Sequence, residues 1–353
     1  MAAVAVLAGM LPAAASNGTL WTTLPSMPTP RSGHASAVAP CPPGQTGTCV
    51  YSVGGANANE LATMESYNRL TNAWSTLPPM PTRRALAAAV AAPCPAGQTG
   101  TCVYVIGGEF TLTGSGATIA QSVVESYNPV TNAWSTVTPL RTARFALAAA
   151  AAPCPPGQTG TCVYAVGGEN GGMYQNAAEV YNPVNNSWST LMAMPTRREY
   201  LGAAAAACPP GQSGICVYAV GGFGAGFLSL VESYNPATNA WSPVASMPTA
   251  RGSAATAAGT CPPGQSGTCI YAVGGLGVVN GPPLGSVQSY NPASNLWTDL
   301  PSLPTPRAGL AAATMPCPVG VGGNCVYASG GSTGIGSSLG TLEALDPPDP
   351  SKL

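Results

Sequence analysis

The sequence predicts an all-β chain folded as a six-bladed propeller, each blade a four-stranded antiparallel sheet. Three observations carry this reading. A unit recurs six times in one order: Arg, an Ala-rich run, Cys-x7-Cys, then Val-Tyr-x-x-Gly-Gly and Glu-x-Tyr-Asn-Pro or close variants of them, followed in all but the last copy by Asn-x-Trp. Its copies are bracketed by Trp21, Trp74, Trp134, Trp188, Trp241 and Trp297, spaced 53, 60, 54, 53 and 56 residues apart, and a period near fifty with paired glycines and one Trp is a propeller spacing. The ends are also complementary. The last unit runs through Gly330-Gly331 and Thr341 to Asp346 with no Trp after it, whereas the chain opens on Leu20 to Leu24, around Trp21, with no unit before it. The N-terminal strand is therefore expected to complete the sixth blade and remove an exposed seam.

Within a unit, strand a is the Ala-rich run after the Arg, strand b is Val-Tyr-x-x-Gly-Gly, strand c is Glu-x-Tyr-Asn-Pro, and strand d follows Asn-x-Trp. The c–d turn reads Asn-Pro-x-Thr-Asn or a close variant in most copies, where Pro fixes φ and Asn tolerates the left-handed region. Four strands per unit make a propeller blade. The a–b connection carries a Cys pair in every unit: Cys41 and Cys49, Cys94 and Cys102, Cys154 and Cys162, Cys208 and Cys216, Cys261 and Cys269, Cys317 and Cys325. The turn-rich heptad between them predicts a hairpin closed by a disulfide, with the two thiols facing across the ladder. A zinc site would need two more ligands per pair, and the chain has one His. No metal or cofactor is expected.

Six similar units sharing one closed core argue for a single domain, residues 19–346, with a leader over 1–18 and a tail over 347–353. Charged residues are 7% of the chain, the net charge is −1 and Lys352 is the only Lys. A nucleic-acid surface needs clustered Lys and Arg and is not expected. Disulfides imply an oxidising compartment and hence secretion to an extracellular or periplasmic space. Residues 2–15 are apolar and end in small residues, as in a signal peptide, but lack a basic start; the stretch is too short and interrupted for a membrane span. Sequons at Asn17 and Asn185 are compatible with export. The C-terminal Ser351-Lys352-Leu353 matches the alternative, a peroxisomal address.

The glycine pairs Gly54-Gly55, Gly107-Gly108, Gly167-Gly168, Gly221-Gly222, Gly274-Gly275 and Gly330-Gly331, in all but the last unit followed by Tyr and Trp, resemble kelch repeats over about residues 19–346. The resemblance implies a kelch propeller, to which the Cys hairpin is an addition.

Antiparallel order puts the start of strand a and the end of strand b on one face and the Cys hairpins on the other. The arginines Arg31, Arg84, Arg144, Arg198, Arg251 and Arg307, each ten residues before a Cys pair, are thus expected as a ring beside the variable b–c loops, where binding concentrates. The resemblance implies that such arginines can hold an acidic ligand. The alternative is structural: each Arg pairs with Glu65, Glu125, Glu179, Glu232 or Glu343, with Gln288 in the fifth unit. Residues that depart from the repeat are further binding candidates: Glu109, Phe110, Glu169, Asn170, Tyr174, Tyr200, Phe223 and Phe227. Glu199 and His34, expected on the channel wall, are the candidate acid–base groups.

The function expected is an exported module that binds a glycan or protein partner through this face. Two alternatives stand beside it. One is a sugar-acid isomerase, epimerase or lyase resembling six-bladed kelch sialic-acid epimerases. The other is a self-assembling subunit of a repetitive extracellular array. A copper radical oxidase like the galactose-oxidase group needs two His ligands and is improbable here.

Overall fold

The computed structural model describes residues 21–112, 116–334 and 336–346. Both expected terminal segments, including the leader, the sequon at Asn17 and the Ser-Lys-Leu end, lie outside them. Six four-stranded antiparallel sheets surround a central channel. Blade 1 consists of Ala35–Pro40, Thr48–Val53, Met64–Asn68 and Ala73–Leu77 as strands a to d, hydrogen-bonded in that order. Blade 6 takes strands a to c from Ala311–Pro316, Asn324–Ser329 and Leu342–Leu345. Trp21–Leu24 closes it, Trp21 opposite Leu345 and Leu24 opposite Leu342, as the chain ends imply.

Each strand's composition follows from its place. Strand b is covered on both sides, so it is apolar throughout: in blade 2, Cys102 to Ile106 is buried without a break. The six a strands converge on the axis, which leaves room only for small side chains; at Gly202 a Cβ would lie 1.8 Å from Thr256 Oγ1 of the next blade. The core lies between blades rather than within them. Tyr104, Ile106 and Val124 of blade 2 pack on Val163, Ala165, Tyr181 and Trp188 of blade 3, and each fully buried side chain of this size contributes about 1.5–3 kcal/mol.

Polar fastenings join neighbouring blades. The outer-strand Trp donates its indole N–H to the linker that enters the preceding blade's neighbour, as Trp134 to the Pro78 carbonyl at 2.9 Å and Trp188 to that of Thr138 at 2.8 Å. The Gly-Gly pair lets two backbones meet. Gly55 donates to the Arg84 carbonyl, and a Cβ on Gly54 would stand 2.6 Å from that same oxygen.

A third fastening encircles the channel. The residue two places after each repeat Arg is left-handed in every blade: Gly33, Leu86, Ala146, Tyr200, Ser253 and Gly309, with φ between 49° and 60°. Leu86 N–H donates to Gly33, Ala146 to Leu86, Tyr200 to Ala146, Ser253 to Tyr200, Gly309 to Ser253 and Gly33 back to Gly309, all at 2.8–2.9 Å. These six bonds form a closed ring at the mouth of the channel on the b–c side.

All twelve cysteines form the six expected disulfides, with Cα–Cα distances of 4.7–4.9 Å. The thiols do not face each other squarely across the ladder, however. Cys49 stands opposite Ala39, and Cys41 lies just past the strand, its N–H bonded to the Gly47 carbonyl, so the bridge runs diagonally across the hairpin end. Two further details differ from expectation. Strand d begins before its Trp, at Ala73 in blade 1. The b–c segments of blades 2 and 3 fold into two-stranded ribbons, Glu109–Thr111 with Thr118–Ala120 and Glu169–Asn170 with Met173–Tyr174.

Candidate functional site

The six arginines lie beside the b–c loops in the backbone, but their side chains turn inward and are at most 1% exposed. Arg31 donates to Glu65 Oε2 at 2.6 Å and to the carbonyls of Gly54 and Thr63. Arg84 bonds Glu125 at 2.6 Å, Arg144 bonds Glu179 at 2.9 Å, Arg198 bonds Glu232 at 2.6 Å, and Arg307 bonds Glu343. A ring of arginines presented to an acidic ligand is therefore not what the fold builds. These groups are spent on strand c of their own blade, the alternative read from the repeat. Blade 5 reaches the same end differently: Arg251 bonds Gln288 Oε1 at 2.9 Å, and Gln288 Nε2 donates to Asp299 Oδ1 at 2.8 Å. Burial pulls the Arg251 guanidinium down to about 10, opposed by the charge of Asp299.

What the face does present is set by two positions in every blade. The residue after the Arg and the residue after Gly-Gly form an isolated β-bridge: Ser32 with Ala56, Ala85 with Glu109, Phe145 with Glu169, Glu199 with Phe223, Gly252 with Leu276, and Ala308 with Ser332. The scaffold is six-fold, but its decoration is not. Acidic and aromatic residues occupy these positions only in blades 2 to 4.

There Glu109, Phe145, Glu169, Asn170 and Tyr200 line a cleft of about 770 Å³ over the ribbons of blades 2 and 3. Glu199, the neighbour of the lining residue Tyr200, is 7% exposed. Its carboxyl is pushed up to about 7 by burial, by the charges of Glu169 and Glu109, and by a hydrogen bond with Glu169. Glu199 Oε2 is buried and has no hydrogen-bond partner. Glu109 is likewise pushed up to about 7 by burial and then by Glu60 and Glu169. One oxygen of Glu169 accepts the Gly172 N–H at 2.7 Å, which fixes the ribbon turn. An aromatic wall adjoins, Tyr174 on Phe223 at 5.9 Å and Phe223 on Phe227 at 5.1 Å. Phe110 lies half-buried on the blade 2 ribbon, opposite Ile119.

Neither candidate acid–base group lies on strand a itself; both precede it. His34 lines the channel mouth and bonds Ser329 Oγ through Nε2 at 3.1 Å. Burial and the charge of Arg31 pull it down to about 3, so at neutral pH it is an uncharged packing residue between blades 1 and 6. Phe145 and Glu60 belong to the cleft's surroundings but stand out from the repeat only when the residue after each Arg, and the acids near each ribbon, are compared across units.

A family model described as Kelch motif matches residues 30–81, 91–141, 150–195, 212–248 and 260–304. The chain is 26% identical over 317 residues to Kelch-like protein 23 of Homo sapiens, covering 84% of this chain and 46% of that protein. It is 26% identical over 250 residues to Kelch-like protein terF of Aspergillus terreus, covering 67% of this chain and 49% of that one. The chain thus spans about half the length of these curated relatives. Among solved structures, YjhT aligns with a TM-score of 0.65 over 90% of this chain and 95% of that one at 16% identity, a likeness of fold. With five matched motifs covering most of the six blades, the chain belongs to the kelch-repeat family.

Proposed function

We propose that this kelch propeller is an exported interaction module that binds a protein partner through the b–c face of blades 2 to 4. The observation that carries the reading is the uneven decoration of an even scaffold. Bridge positions that are small or neutral in blades 5, 6 and 1 hold Glu109, Phe145, Glu169, Glu199 and Phe223 in blades 2 to 4, and the adjoining ribbons raise exposed Leu112, Ile119 and Met173. Apolar tips around a charged, aromatic cleft suit a protein surface. The disulfides support an oxidising compartment. Among the described residues no helix is long and apolar enough to cross a membrane.

An acidic glycan is less well served, because the arginines that would hold it are buried. The sugar-acid isomerase or lyase reading keeps one specific support: two neighbouring carboxyls pushed up to about 7, Glu109 in the cleft lining and Glu199 beside Tyr200, suit proton transfer near neutral pH. The array reading rests on the opposite face, where Val130, Val184 and Val319 are more than half exposed.

Paired surface variants separate these readings. Ile119→Asp with Met173→Asp is expected to abolish partner co-purification under non-reducing conditions, while Val130→Asp with Val184→Asp leaves it intact. The converse result favours the array. A melting-temperature rise with uronic or sialic acids alone favours the enzyme.

A further inference from the structure

The cleft's charge is the reverse of the one the repeat arginines suggest, and its sign defines a ligand. With five carboxylates committed to buried arginines, Glu109 and Glu169 line the cleft with no arginine in the lining, and the charges of both act on Glu199, which adjoins the lining residue Tyr200. The bases nearby are peripheral and exposed: Arg83 acts on Glu60, and Arg197 reaches the Tyr174 carbonyl at 3.5 Å. Glu60 itself is tied to the Thr111 N–H. A second observation singles out one member of the cluster: Glu199 is more than nine-tenths buried and its Oε2 has no hydrogen-bond partner. A buried acceptor of this kind is costly until a donor arrives.

A single metal ion is a poor donor here, since among the described residues these three carboxylates do not gather tightly enough to share one. A planar guanidinium suits the spacing better. It presents several N–H groups in a fixed fork to separate carboxylates, and its faces stack on aromatic rings. Phe145 and Tyr200 supply such rings in the lining.

We infer that the Glu109–Glu169 cleft, with Glu199 beside it, seats one arginine side chain of the protein partner, its guanidinium held by the carboxylates and flanked by Phe145 and Tyr200. The inference rests on the proposed partner face and names the chemistry that face recognises. Binding carries a proton cost at low pH. The groups facing Glu199 are Glu169, Glu109 and Tyr200, with Glu60, Arg83 and Arg197 beyond. The protons that burial and neighbouring charge hold on Glu199 and Glu109 must leave as the cation enters.

Nα-acetyl-argininamide titrated into the intact, oxidised protein and followed by NMR tests this directly. Saturable shifts at Tyr200 and Gly172 are expected at pH 8, weakened about tenfold or more at pH 6 as the two carboxyls protonate. Glu109→Gln and Glu199→Gln are each expected to weaken binding about tenfold, with the fold checked by the unchanged amide spectrum of blades 5 and 6. Nα-acetyl-lysinamide is expected to bind more weakly than the arginine probe. No saturation by tens of millimolar, equal binding by the Gln variants, or displacement of the probe by calcium overturns the inference. If the partner is still lost from Ile119→Asp with Met173→Asp while the arginine probe does not bind, the partner face stands and the arginine seat falls.

Discussion

Blade 5 shows how the buried Arg pair can be rebuilt, and this yields a quantitative test in blade 2. Glu125 accepts Arg84 Nη1 at 2.6 Å through one oxygen and Thr82 Oγ1 at 2.9 Å through the other. Glu125→Gln keeps the shape but removes the negative partner, leaving the Arg84 cation bonded to a neutral amide oxygen, and turns an amide donor toward Thr82, a loss of about 2 kcal/mol. Glu125→Leu strands a buried cation and should cost about 3–5 kcal/mol. In blade 5, Gln288 lies opposite Asp299; the matching neighbour of Glu125 is Thr136. Adding Thr136→Asp to Glu125→Gln recreates the relay and should restore more than half of the loss. Equilibrium urea unfolding without reductant measures each step, and a loss of 2 kcal/mol corresponds to about 3 °C in Tm for a chain of this size. If Glu125→Gln proves neutral, or Thr136→Asp restores nothing, the pairs are not held by their charge and the reasoning fails.

Other expectations follow from the same geometry. His34, uncharged when buried and pulled down to about 3, takes up a proton on unfolding between that value and about 6.5. Its contribution is thus complete above pH 6.5 and lost as pH falls toward 3, about 2 kcal/mol of it by pH 5. His34→Leu, matching Leu147, Leu201 and Leu310 at the same repeat position, should flatten the decline of Tm from pH 7 to pH 4; parallel curves for the two proteins would contradict this. Replacing Cys154 and Cys162 together by Ser should lower stability by about 2.5 kcal/mol on the loop-entropy estimate, read as a shift in urea midpoint. Trp188→Phe should cost about 1 kcal/mol through the lost bond to Thr138, while the ring still packs on Tyr181; an unchanged midpoint would show that bond to be idle.

The architecture was legible because six copies average out local ambiguity: the Gly-Gly pairs, the Cys hairpins and the unmatched Trp21 each constrain the same closed sheet arrangement. The site was less legible for a physical reason. A sequence places an Arg at a face but does not say which way the side chain turns, and only Glu65 and its equivalents on strand c, near enough to pair, decide that it turns inward. Glu109, Glu169 and Glu199 were visible as departures from the repeat. Their union was not, because it depends on the closed ring of blades, which brings the charges of Glu109, Glu169 and Glu199 from three successive units within reach of one another. Phe145 carried a readable signal, since it follows Arg144 as Glu199 follows Arg198.

The ring of left-handed residues gives the axis a mechanical character that the blades lack. A β-ladder can fray from its ends, but a circuit of six bonds has no end from which to begin. Breaking any one link orphans an amide and a carbonyl together, and the other five residues hold their conformations against relaxation. Deuterium exchange at Leu86, Ala146, Tyr200 and Ser253 should therefore be slow and nearly uniform, tracking the opening of the whole disc rather than the loosening of any one blade.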